Sequence, residues 1–221
     1  MKNNSLFDVI SPIMVGPSSS HTAGAVRLGL LARNIYAQPV KKITFRLYNS
    51  FAQTGKGHGT DKGLMAGLLG FQVDDVRIKK VFELPEAKEI EYDFEYLEDF
   101  NRHPNAVDFI FGGKDKMEIF AESVGAGNVR VRRINKFGVD ITGEYDTLVL
   151  IYKDKPGMLS KVGGIIQGEK INIASLICDR SAKGEDASMC IALDSGLNYS
   201  VVQKIKNIED VYFVRHVSKI L

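Results

Sequence analysis

The stretch from Tyr145 to Leu221 constrains the fold more than any other part of this sequence. Thr147–Tyr152 is an apolar run of strand length, and it stops at the turn residues Asp154-Lys155-Pro156-Gly157. Apolar residues then recur at 158, 159, 162, 165 and 166, the spacing of one helix face, with Gly168 as the stop. A strand over Ile171–Arg180, a turn at Lys183-Gly184-Glu185 and a strand over Ala187–Leu193 follow. A helix over about 198–207 and a strand over Val211–Val217 complete the pattern. The order β-α-β-β-α-β predicts a split βαβ, ferredoxin-like sandwich: one antiparallel sheet with both helices on one face.

Upstream, the alternation is looser. A short apolar stretch, Leu6–Ile10, precedes turns at Ser11-Pro12 and Gly16-Pro17. Apolar positions 25, 28, 31, 32 and 35 predict a helix over about 20–36, with Ser or Thr ahead of it as N-cap. Gly24 and Gly29 inside it each cost about 1 kcal/mol relative to Ala, which points to close packing against a neighbour. Strands are expected at 43–48, 76–78 and 129–134, a small-residue helix at 59–69, and a hairpin from 107–111 and 117–123. Residues 83–104 are acidic and aromatic, with a helical signal only at Glu86-Ala87-Lys88. Asn135 to Glu144 reads as a linker, giving an α+β chain with an α/β domain at 1–140 and the sandwich at 145–221.

Composition removes several functions. The 221 residues carry 29 Lys+Arg against 27 Asp+Glu, a net charge of +2, so no general attraction to nucleic acid or an anionic membrane is expected. No apolar run approaches the roughly 18–20 residues that span a bilayer. Cys178 and Cys190 are the only cysteines. They make no disulfide framework and are too few for a four-iron cluster, and no secretory signal precedes them. A reducing cytoplasm is the expected location.

Two segments carry chemistry. Gly16-Pro17-Ser18-Ser19-Ser20-His21-Thr22 and Thr54-Gly55-Lys56-Gly57-His58-Gly59-Thr60-Asp61 each place one histidine among small and hydroxyl residues, at what reads as a loop-to-helix junction. Helix N-termini present donors to an anion, and histidine titrates near neutrality. Neither segment is a P-loop, because position 50 is Ser and position 57 is Gly. Gly125-Ala126-Gly127 lacks the third glycine of a dinucleotide fingerprint. Ser20 and His21 are adjacent, a poor geometry for a nucleophile and its base.

Asp154-Lys155-Pro156-Gly157-Met158-Leu159, with Ile171-Asn172-Ile173, resembles the ACT domain, a small regulatory module of amino-acid metabolism. The resemblance implies ligand binding at Asp154, Gly157, Leu159, Asn172 and Ile173. There Gly157 admits a ligand to the backbone, the following helix start faces a carboxylate, and Asp154 takes an ammonium. Pro156-Gly157 can equally make only a turn, with the domain serving as a dimerisation surface.

Val15–Thr22, Phe51–Asp61, His103-Pro104-Asn105 and Ser123–Gly127 together resemble the beta subunit of the two-subunit bacterial iron–sulfur L-serine dehydratase. In that family the part before the ACT-like tail is similar to the substrate-binding regulatory domain of some phosphoglycerate dehydrogenases. The resemblance implies conversion of L-serine to pyruvate and ammonia, with a four-iron four-sulfur cluster held by a separate alpha subunit and none by this chain alone. It also implies catalytic roles for His21 and His58, and substrate binding by Ser19, Ser20, Thr22, Gly57 and Thr60 at a site between subunits. Self-association through the ACT-like domain is a further expectation. The rival reading is a non-catalytic amino-acid sensor of serine metabolism.

Overall fold

The computed structural model describes residues 13–221, so Leu6–Ile10 and the turn at Ser11-Pro12 lie outside the described residues. The chain divides into two compact units between Val131 and Arg132.

In the first unit, a π-helical turn at Ser19–Ala23 runs directly into α1 (Gly24–Tyr36). Strand β1 (Lys42–Tyr48) follows, then α2 (Ser50–His58) and α3 (Thr60–Leu69). α1 and α3 are buried on most sides and pack on each other through their glycines. A Cβ built on Gly29 would come within 3.0 Å of Leu64 O and Leu68 N, and one on Gly67 within 3.0 Å of Val26 O and Leu30 N. The helix-weakening glycines are therefore contact points between two backbones.

Residues 76–78 are not a strand. They open a 3-10 helix, Val76–Glu83, because the Asp75 carboxylate accepts from the Arg77 N–H at 2.9 Å and so caps a helical turn. The helix buries Ile78 and Val81, three residues apart. A short α4 (Pro85–Lys88) leads to β2 (Glu91–Leu97), which pairs in parallel with β1. On β2, Glu91 and Glu95 reach the β1 side chains Lys42 and Arg46, while Phe94 stacks on Phe45 with ring centroids 4.8 Å apart. β3 (Ala106–Phe111) and β4 (Met117–Gly125) form the expected hairpin, and β3 lies antiparallel to β1. Strand order is β2-β1-β3-β4, continuing to β5 (Asn128–Ile134). Asp108 is buried at the sheet centre, accepting from Tyr48 Oη at 2.8 Å and pairing with Arg102 at 3.1 Å. Burial, then that bond, pushes the Tyr48 phenol up to about 12.

The second unit contains the stretch read as a linker. Residues 137–141 form β6 (Phe137–Ile141), and its neighbours tie it to the sandwich. Gly138 N–H donates to the Asp179 carboxylate at 3.0 Å, and Lys136 pairs with Asp186 at 2.8 Å. The sandwich is the one its pattern predicts: β7 (Asp146–Lys153), α5 (Met158–Gly168), β8 (Ile173–Arg180), β9 (Asp186–Leu193), α6 (Tyr199–Lys206) and β10 (Val211–Val217). Its sheet has the order β10-β7-β9-β8, antiparallel throughout. Val162 and Ile166 of α5 and Val201 and Ile205 of α6 share one core with Leu148, Leu150 and Ile191, which places both helices on one face.

Candidate active site

Both histidines are placed by helix ends. Ser18 is extended (φ −138°), and its Oγ accepts the His21 N–H at 3.1 Å, starting the π-helical turn. Such wide turns recur at functional sites. The second segment differs from its reading as a loop-to-helix junction. Residues 54–58 are the end of α2, and Gly59, left-handed at φ 70°, breaks it before α3 begins. Glycine is suited to that break because it has no Cβ to strain.

A hydroxyl network joins the segments. Thr22 Oγ1 donates to the His58 carbonyl at 2.7 Å, pinning one turn to the other. His21 Nδ1 meets Ser18 Oγ at 3.3 Å, and its Nε2 meets Ser50 Oγ at 3.2 Å and Thr54 Oγ1 at 3.1 Å. The His21 ring lies against Phe51 and against His58, whose centroid is 5.1 Å away. Burial, then the His58 charge, holds the His21 imidazole below its ordinary range, although the Ser50 contact opposes this. His58 is exposed, and its Nδ1 lies 3.1 Å from the Thr54 carbonyl. A carbonyl only accepts, so in the neutral ring Nδ1 carries the proton and Nε2 holds the lone pair.

The predicted residues separate by position. Ser19 and Ser20 lie in the π-helical turn, half-buried; the Ser20 carbonyl is held by Ser123 Oγ at 2.9 Å. Thr22 is buried and Gly57 exposed, yet both line a cavity of about 240 Å³. Thr60 is fully buried, with Oγ1 unpartnered, behind Gly55. Sequence reasoning did not single out Ser18, Ser50, Thr54 and Ser123 individually, although all but Ser50 lie in its motifs. The i, i+4 spacing of Ser50 and Thr54 would have put both on one helix face. The His103-Pro104-Asn105 motif is scaffolding: the Pro104 carbonyl accepts from Phe51 N at 3.2 Å and that of Asn105 from Ser123 N at 2.9 Å.

In the second unit the five ACT-type candidates fall into different places. Asp154 accepts from Gly184 N at 3.0 Å and pairs with Arg180 at 3.3 Å; the first contact leads in holding its carboxyl below the usual range. It lines a cavity of about 360 Å³ with Cys178 and Tyr152. Asn172 and Ile173 line a separate cavity of about 380 Å³, where Asn172 Nδ2 donates to Asp194 at 3.1 Å. Gly157 is the left-handed N-cap of α5 (φ 88°), and Leu159 is exposed in its first turn.

The donor set of this chain does not fit a four-iron cluster. Its two cysteines are free, on the paired strands β8 and β9. Burial pushes the Cys190 thiol up to about 11 and raises that of Cys178, the wrong direction for thiolate ligands. Among the described residues no group of three or more His, Cys, Asp or Glu side chains is placed to hold a metal ion. Among the same residues no helix is long and apolar enough to cross a membrane.

Two family models match the chain. The serine dehydratase beta chain model matches residues 5–96, and the acetohydroxyacid synthase small-subunit-like ACT domain model matches residues 148–213. The chain is thus a two-unit protein with a C-terminal ACT domain. It is 38% identical over 213 residues to the L-serine dehydratase beta chain of Peptoniphilus asaccharolyticus, covering 95% of this chain and 96% of that one. It is 33% identical over 219 residues to a probable L-serine dehydratase beta chain of Bacillus subtilis, covering 99% of this chain and all of that one. A D-3-phosphoglycerate dehydrogenase of Bacillus subtilis is 24% identical over 194 residues, 86% of this chain but only 37% of the dehydrogenase. The chain belongs to the serine dehydratase beta chain family.

Proposed function

We propose that this chain is the beta subunit of an L-serine dehydratase, active with an alpha subunit in the cytoplasm and converting L-serine to pyruvate and ammonia. Family membership supports the reaction, and the geometry of the histidine pair supports the division of labour within this chain. The observation that carries it is the contact of His58 Nδ1 with the Thr54 carbonyl at 3.1 Å on an exposed ring, which leaves Nε2 as the basic nitrogen of the neutral form. In this reading that nitrogen takes the Cα proton, and the Thr54 carbonyl steadies the imidazolium that results. His21, its proton affinity lowered by burial and its ring held by three hydroxyls, is a positioning residue that fixes the face on which His58 rests. Thr22 spends its hydroxyl on the His58 carbonyl and so also positions. The Ser19 and Ser20 hydroxyls make no bond within the described residues and are left to receive the substrate carboxylate. The four-iron four-sulfur cluster implied by the family resemblance belongs on the alpha subunit.

The test is serine-dependent pyruvate formation by the reconstituted two-chain enzyme. His58→Ala is expected to lower turnover 10²–10⁴-fold. His21→Ala should lower it less and also disturb the melting temperature. If both variants fold, assemble and stay within about threefold of the parent, short of that acid–base range, the amino-acid-sensor reading replaces this one.

We also propose self-association through the second unit. Most of edge strand β8 is exposed, including the apolar Leu176 and Ile177, and Tyr212 is exposed on β10. An open edge of this kind is a template for a second chain. Ile177→Lys should shift the sedimenting species of the full chain from dimer to monomer; an unchanged dimer would place the contact elsewhere.

A further inference from the structure

We infer that the cavity beside the two histidine segments is a binding site for a small oxyanion carrying two negative charges, separate from the histidine pair. The cavity, about 240 Å³, receives three lysines from three different elements: Lys56 from the last turn of α2, Lys62 from the first turn of α3 and Lys79 from the 3-10 helix. Neither imidazole and no carboxylate lines it. Among the described residues none of the three lysines is ion-paired. Elsewhere Lys42, Arg46, Arg77, Lys136 and Lys155 each hold a carboxylate. Like charges around one recess repel each other less when an anion sits among them; the Lys56 ammonium is also met by the Tyr96 ring, 5.2 Å from its centroid. The nearest acid in sequence, Asp61, accepts the Lys62 backbone N–H at 2.8 Å and feels the Lys62 and Lys56 charges, but it does not line the cavity, whose own lining carries only positive charge.

One further feature points the same way. Gly57 has no internal reason to be glycine. Its φ lies outside the left-handed region, and a Cβ there would meet nothing within 4 Å. Inside a helix it costs about 1 kcal/mol relative to Ala. Room left at a cavity wall that the chain itself does not fill suits an external group.

The charge pattern selects the ligand class. Serine is a zwitterion, and its ammonium would face lysines with no acid lining the cavity to receive it. A phosphate or a small dicarboxylate has no such penalty, and the volume holds one with several waters, each of roughly 30 Å³. Thr22 lines the cavity and also holds the His58 carbonyl, so an ion bound here stiffens the turn carrying that histidine. The inference rests on the lysine geometry and not on the activity proposed above.

Calorimetric titration of the full chain at pH 8 tests it. Inorganic phosphate and malonate are the probes, L-serine the competitor, and chloride at matched ionic strength the reference. Binding of phosphate, malonate or both above the chloride reference is expected, and the stronger of the two identifies the source. Lys62→Gln and Lys79→Gln should each weaken it about tenfold, the loss expected for one charge-assisted hydrogen bond. Gly57→Ala, which creates no clash, should weaken binding while leaving the melting temperature unchanged or raised by the helix-propensity gain. L-serine should not compete. Affinity no greater than for chloride, lysine variants within twofold of the parent, an unaffected Gly57→Ala, or competition by L-serine would each overturn the assignment.

Discussion

Glycine does opposite work in the two units. In the first, Gly24, Gly29, Gly63 and Gly67 sit where a Cβ would press on Ser123 or on the backbone of the facing helix. Two helices thereby meet at backbone distance, and the segments attached to their ends, which carry His21 and His58, are held without freedom to drift. In the second, Gly157, Gly163, Gly164 and Gly168 have nothing within 4 Å of a built Cβ. α5 is loosely specified around them, and the neighbouring β8 stays exposed. The contrast separates a unit built to fix a constellation from one built to leave surface available.

The sharpest way to break this comparison is Gly67→Ala. The new methyl would meet Val26 O and Leu30 N, which cannot move without parting α1 from α3. A loss of about 3 kcal/mol is expected, the upper part of the range for overpacking, read as a lower denaturant midpoint. A change under about 0.5 kcal/mol, the scale of an ordinary surface substitution, would show that the helices are not in backbone contact. The same substitution in the other unit should have the opposite sign. Gly164→Ala lies on an exposed face of α5 and should raise stability by up to about 1 kcal/mol, the helix-propensity gain.

The smallest effect is a pH dependence in the first unit. The folded His21 imidazole is held below its ordinary value near 6.5, chiefly by burial. Between that value and the lower folded one, the unfolded chain binds a proton that the native chain does not. Stability is intact above the window and falls as pH drops through it. Melting followed from pH 7.5 to pH 5 should decline more steeply for the parent than for His21→Gln; parallel curves would remove His21 as the source.

How much of this was legible in the sequence follows the same division. The second unit was readable almost element by element, because its signals are local: apolar spacing within α5, Asp154-Lys155-Pro156-Gly157 before it, and Lys183-Gly184-Glu185 between β8 and β9. Only β6 was missed, since five residues with two nearby glycines look like a linker until Gly138 is seen bonded to Asp179. In the first unit, sequence alone singled out both histidines, the apolar face of α1, a helix at 59–69 and the β3–β4 hairpin. It did not reveal β2, whose parallel partner β1 lies across four intervening helical segments, so no turn signal joins them. Nor did it show that residues 76–78 are helical, because a capping carboxylate outweighed β-branched residues there. The tautomer of His58, the hydroxyls around His21 and the convergence of Lys56, Lys62 and Lys79 depend on distances between segments far apart in the chain. The sequence names these groups and their chemistry; only the packing of α1 against α3, glycine to backbone, decides which of them meet.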